Sequence, residues 1–353
     1  MIAFRYIVYH YLKYFIIILT SLVLFVVGFD YMDHAQKLSG SANLTLIYLV
    51  YKSFYAIDML LPLSLVFAMI STKVYLINSN ALVSFYSLGY SRNDILKPFV
   101  VVSILIIMLF ISFHSFSSFA RASEFASNIR KHSQYLSPTK DLFFTYKDKY
   151  IYFGKMLPLQ AKAQEIRIFD IKKNSVTEVL VASSASYKDG YWVISKADII
   201  KKPKNINFDS SGIVVNELNE VKTLKGFRPK MLDQVYDGKV NFTIFNAIDA
   251  ILLLEKQNVD TSNIRAALYK IFIYPFFVPF LIIIIFFFVP ISSRSLNISL
   301  FSFQAIFTTL LIWGTLFMLI ELSNHKTISS EIGVIVPIVI LCLIAIYQWK
   351  RFK

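Results

Sequence analysis

The chain has 353 residues, of which 56% are apolar and only 16% charged, with a formal net charge of +14. Soluble domains average about a quarter charged residues, so the composition excludes an ordinary soluble enzyme and fits a polytopic membrane protein. The charge is also segregated. Of 36 Lys/Arg and 22 Asp/Glu, 23 and 16 fall between residues 121 and 265, which leaves two strongly apolar flanks.

Crossing a bilayer takes about 20 apolar residues in a helix. Three runs of that kind precede residue 120, at 14–29, 54–77 and 99–119, and three follow residue 265, at 271–289, 298–320 and 332–349. The first has the basic start of a signal peptide (Arg5, Lys13). Its end, Gly28-Phe29-Asp30-Tyr31, is a poor small-residue cleavage site, so it reads as a retained span. With the N-terminus inside, the inner segments carry Arg5, Lys13, Arg92, Lys97, Arg294, Lys350, Arg351 and Lys353. The outer loops carry Lys37, Lys52 and Lys326 beside Asp30, Asp33, Glu321 and Glu331. That bias places both termini in the cytoplasm and the middle block outside. Asp58 is the one acid inside a predicted span, close to Pro62, where it reads as interfacial or as part of a gate.

The loop between the second and third spans contains a short helical pattern near residues 80–89. Ser79 or Asn80 can cap it and Gly89 can end it in the left-handed conformation. Leu82, Phe85 and Tyr86 then share a face at i, i+3, i+4. Such an apolar face either packs under its own bundle or docks in the groove of another protein, as the coupling helices of transporters with a separate ATPase do.

Residues 120–137 and 243–270 read as helices that extend the third span and lead into the fourth. Between them, β-branched and aromatic runs such as Tyr150-Ile151-Tyr152-Phe153, Ile166-Arg167-Ile168-Phe169 and Tyr191-Trp192-Val193-Ile194 alternate with turn residues such as Asp189-Gly190. Many short strands at regular spacing predict a sandwich, jelly roll or partly open barrel. The domain reading is therefore 1–119, 120–265 and 266–353.

No catalytic constellation is legible. There is no P-loop, no His-Glu-x-x-His, no nucleophile elbow and no Cys/His cluster; His10, His34, His114, His132 and His325 are scattered. Cys342 is alone in an apolar run and reads as packing. The chain is thus expected to be a non-catalytic subunit with no cofactor and no metal, its energy supplied by a partner. Nucleic acid is excluded as a partner for a block tethered at both ends to membrane spans.

These features together resemble the LptF/LptG (YjgP/YjgQ) permease family of the lipopolysaccharide exporter, over essentially the whole chain. The 81–91 stretch is similar to the family's coupling helix: Leu82 and Gly89 match, while Asn80-Ala81 replaces an acidic residue. Leu61-Pro62-Leu63 resembles the second span and Lys270-Ile271-Phe272-Ile273-Tyr274-Pro275 the start of the fourth. The middle-block runs are more similar to the LptG branch than to the LptF branch, which stays open as the alternative. The resemblance implies six spans in a three-plus-three arrangement in the bacterial inner membrane, with a periplasmic β-jelly roll between them. It also implies an LptF partner, an LptB ATPase dimer, LptC and the bridge protein LptA. By the same resemblance, Leu82, Phe85, Tyr86 and Gly89 would couple to the ATPase. Lys37, Lys52, Arg121, Arg130 and Lys131 would meet the phosphorylated headgroup, with plain interfacial snorkelling as the other reading of each cation. Asp30 falls where the family has a basic residue. The rival reading from another class is a periplasmic sensor or scaffold on a multi-span anchor.

Overall fold

The computed structural model describes residues 2–38, 41–130, 139–146, 149–157, 161–172, 175–203, 212–225, 243–255, 261–288, 298–325 and 327–351. The chain divides into two compact units: 1–126 with 242–247 and 262–353, and 127–241 with 248–261.

Among the described residues, six helical segments of the first unit are long and apolar enough to cross a membrane. Helix α1 runs over Ile2–Leu38 and α2 over Ala42–Asn78, each of 37 residues. At 1.5 Å per residue each is about 55 Å long, well beyond the ~30 Å hydrocarbon core. Both therefore outrun their apolar stretches. A short α3 (Ala81–Ser87) and the third span α4 (Arg92–Phe113) follow. Next come α5 (Ser117–Ala120) and α6 (Ala122–Arg130), so the helix predicted over 120–137 is present only as far as described, from residue 122.

Helix α2 is the centre of the unit. In its apolar window 78% of residues are buried, against 11% for α1 and 22% for each of the last two spans. The reason lies in its sequence: the apolar residues surround the helix instead of forming a stripe, which is the pattern of an interior helix. Tyr11 of α1 donates to the Leu65 carbonyl of α2 at 3.1 Å, and Phe99 of α4 meets the Tyr11 ring at 5.2 Å.

After the sheet come α7 (Ile244–Glu255), whose first turn belongs to the first unit and the rest to the second, and α8 (Ser262–Phe272) of the first unit, where one helix over 243–270 had been expected. The fourth span is also not continuous. After α8 a turn at Tyr274–Phe276 precedes α9 (Phe277–Phe288), because Pro275 supplies no N–H and cannot follow Ile271 in a helical ladder. Helix α10 spans Ile298–Asn324. A wide turn at Glu331–Ile335 then leads into α11 (Val336–Arg351). Gly333 allows that turn to press on α10: a Cβ there would lie 2.9 Å from the Leu319 carbonyl oxygen.

The second unit holds a six-stranded antiparallel sheet, inserted in the chain between the third and fourth spans. Its strands are β1 (Thr139–Tyr146), β2 (Lys149–Leu157), β3 (Lys162–Lys172), β4 (Ser175–Lys188), β5 (Tyr191–Lys201) and β6 (Val214–Thr223), in that spatial order. Sequential order makes a meander; the described strands contain no Greek-key crossover. Period-two alternation puts Ile151, Phe153, Ile166, Ile168, Trp192 and Ile194 on one buried face. Phe153 on β2 and Trp192 on β5 lie 5.2 Å apart, ring to ring. Three strand spacings in a flat sheet would separate them by about 14 Å, so the sheet curls around its apolar face.

Candidate functional site

Helix α3 is built tightly into the loop that carries it. Asn80 enters it at φ 54°, a left-handed conformation that asparagine tolerates, without a side-chain cap. The exit is a paired C-terminal turn: Tyr90 N–H donates to the Phe85 carbonyl at 3.1 Å and Gly89 N–H to the Tyr86 carbonyl at 3.0 Å. Gly89 sits at φ +86°, which is why glycine stands there. Two residues later Ser91 caps α4 in a reciprocal box with Asp94. Only Leu88, Gly89, Tyr90 and Ser91 separate α3 from α4, and Ser79 with Asn80 separate it from α2. Displacement of α3 must therefore pull on both long helices.

The apolar stripe of α3 faces its own bundle. Leu82 is 1% exposed, and Phe85 and Tyr86 are half-buried. Phe85 lies 5.9 Å from the Tyr6 ring of α1 and 6.0 Å from Tyr90. Tyr6, His10 and Tyr75 continue that aromatic cluster, with the His10 and Tyr75 rings stacked at 4.6 Å. The opposite face, Val83, Ser84, Ser87 and Leu88, is exposed, with Leu88 at 74%. Of the residues expected at a partner contact, Leu82, Phe85 and Tyr86 seat the helix, and the outward face is one that the i, i+3, i+4 pattern did not single out.

At the other end of the bundle two of the predicted headgroup cations, Lys52 and Arg121, are engaged. Lys52 pairs with Asp30 at 2.6 Å, Tyr48 also donates to Asp30, and the Lys52 ammonium lies 5.2 Å from the Tyr55 ring centroid. Arg121 donates from Nε to Glu124 at 2.8 Å with both side chains 6% exposed. Its guanidinium also stands 5.6 Å from the Phe125 ring. Arg130 is half-buried at the end of α6. Lys37 lies in the last turn of α1, and Lys131 falls outside the described residues. The structure thus brings Lys52 to an acid on the neighbouring helix. Arg121 it places in a local i, i+3 pair.

Two polar groups in the bundle carry more than the sequence disclosed. Asp58 accepts from His114 Nε2 at 2.9 Å and faces the Lys270 ammonium at 3.9 Å, tying α2 to the end of α4 and to α8. The His114 backbone carbonyl in turn accepts from Ile244 at the start of α7. Lys73, inside α2, is 2% exposed; it donates to the Phe286 carbonyl of α9 and lies 4.1 Å from the centroid of the Phe286 ring. Its position in an apolar run was visible, but its partner, more than two hundred residues away, was not. Among the described residues no cluster of metal-ligating side chains occurs.

The first unit thus holds an interior helix followed directly by a short seated helix, and in the chain three spans precede the curled sheet and three follow it. The family model "Lipopolysaccharide export system permease LptF/LptG" matches residues 5–351. No curated protein matches the chain.

Proposed function

The chain belongs to the LptF/LptG family of lipopolysaccharide export permeases, and from that premise we propose that it is the LptG-type half of an ATP-driven extractor in the bacterial inner membrane. In this reading it pairs with LptF, two copies of the LptB ATPase dock from the cytoplasm, LptC adds a span, and LptA receives the lipid. The termini and α3 face the cytoplasm and the sheet faces the periplasm, as the Lys/Arg bias of the loops favours.

The observation that carries the proposal is α3. It presents Val83, Ser84, Ser87 and Leu88 outward while Leu82 anchors it to the bundle. It is joined through very short connections to α2 and α4. Nucleotide-driven closure of the ATPase would push on that outward face. Helix α2 would carry the displacement through the bundle, the cavity shared with LptF would narrow, and the acyl chains would move toward the apolar face of the sheet. At the outer end the lipid phosphates would compete with Asp30 for Lys52, since a phosphate and a carboxylate offer the same charge-assisted acceptor geometry.

The test is purification of the tagged chain from its native membrane in mild detergent. We expect an ATPase, a second six-span permease and lipopolysaccharide to co-purify, with ATP hydrolysis in the preparation. Recovery of the chain alone, with neither ATPase nor lipid, would overturn the proposal in favour of a scaffold.

A further inference from the structure

Lys73 is a charged residue at a place where charge is costly. It stands five residues before the end of α2, an interior helix, and is 2% exposed, and among the described residues no carboxylate pairs with it. What it meets is a backbone carbonyl and an aromatic face, both from Phe286 in the last turn of α9. The sequence denies that carbonyl its usual helical donor. In a helical ladder it would accept from residue 290, and residue 290 is proline, which has no N–H. The Lys73 ammonium supplies the missing donor at the negative end of the α9 dipole. Because the alternative is a bare cation and a bare carbonyl in an apolar interior, separation of α2 from α9 is opposed from both sides.

The same two segments are joined again further along. Lys270 of α8 reaches Asp58 of α2 at 3.9 Å. Helix α2 thus gives a lysine to the fourth span near its C-terminal end and takes a lysine from it near its midpoint. Lys73 is also less than three turns from the start of α3, on the helix that α3 directly follows.

We infer that Lys73 is a positioning residue that fastens α2 to the fourth span, so that displacement of α3 moves both halves of the bundle together. It touches neither cargo nor nucleotide; it transmits. The inference rests on the proposed coupling role of α3.

The test uses the assembled complex in lipid nanodiscs. First, ATPase co-purification with the unmodified chain is scored; its absence overturns the proposed function, and the inference with it, before any variant is made. Second, Lys73→Met, which keeps the stem and removes the charge and donor, is compared with Lys73→Arg. We expect lipopolysaccharide released per ATP hydrolysed to fall about tenfold for Met and to recover for Arg. An unchanged ratio, or a fall of ATPase and release in equal proportion, overturns the inference. Third, p-benzoylphenylalanine at position 286 keeps Lys73 intact. Its photocrosslink to α2 is expected both without nucleotide and after vanadate trapping; loss of the crosslink on trapping shows that the two helices separate, and overturns the inference as well.

Discussion

Arg121 and Glu124 lie 2.8 Å apart with both side chains 6% exposed. Such a pair contributes little net stability, but removing one member strands the other. Arg121→Met alone should therefore destabilise the chain by about 3–5 kcal/mol. Arg121→Met with Glu124→Gln should cost much less, read as thermal midpoints in detergent. Equal losses in the two variants would show that Arg121 is held by something other than Glu124. Lys52 behaves differently, because its acid partner Asp30 sits on another helix and both are partly exposed. Asp30→Asn should free Lys52 and tighten lipopolysaccharide binding about tenfold, or ~1.4 kcal/mol, in an equilibrium binding assay. Weaker binding in that variant would mean that Asp30 helps to form the ligand site. The sequence showed these cations and acids but not their pairing. Asp30 and Lys52 are 22 positions apart and meet only because α1 and α2 lie side by side; Arg121 and Glu124 are three positions apart, but Arg121 was expected at the lipid headgroup and not in that pair.

On the scale of an element, α3 was legible as a short helix ended at Gly89; the expected side-chain cap by Ser79 or Asn80 is not formed, and its facing was not legible. Asn80 before it and Gly89 after it mark a seven-residue helix, and Leu82, Phe85 and Tyr86 make its stripe. A stripe of that kind seeks any apolar cover, and composition cannot say whose. The structure gives the cover to Tyr6 and its neighbours. Two substitutions separate the faces. Leu82→Ala should destabilise the chain by about 2–5 kcal/mol, because the side chain is fully buried. Leu88→Asp should change the stability of the isolated chain by less than about 0.5 kcal/mol, yet abolish ATPase co-purification. If Leu88→Asp leaves the ATPase bound, α3 does not dock through its outward face. The fourth span teaches a related lesson. The 271–289 run is apolar throughout, so hydropathy alone reads it as one helix. Pro275 interrupts it with a turn, a break that hydropathy does not register because proline counts as apolar length but not as a hydrogen-bond donor.

At the scale of the whole molecule, the three-plus-three division and the inserted sheet follow from the order of apolar and alternating segments. The sidedness drawn from Lys/Arg placement is open to direct measurement. In a Cys342→Ser background, a cysteine at Ser84 should react with a membrane-impermeant maleimide only after the cytoplasmic face is opened. One at Thr177 in the sheet should react in intact spheroplasts. The reverse pattern would invert the topology. Hydropathy determines the number of spans and their order, because the bilayer tests every segment one at a time for length and apolarity; loop charge supports the direction of crossing proposed above. Tertiary structure alone decided which helix is central, which way α3 faces, that Lys52 answers to Asp30, and that Lys73 closes the end of α9. Each of these joins residues far apart in the chain, and a buried charge or a bare carbonyl finds its partner only when the helices carrying them have packed.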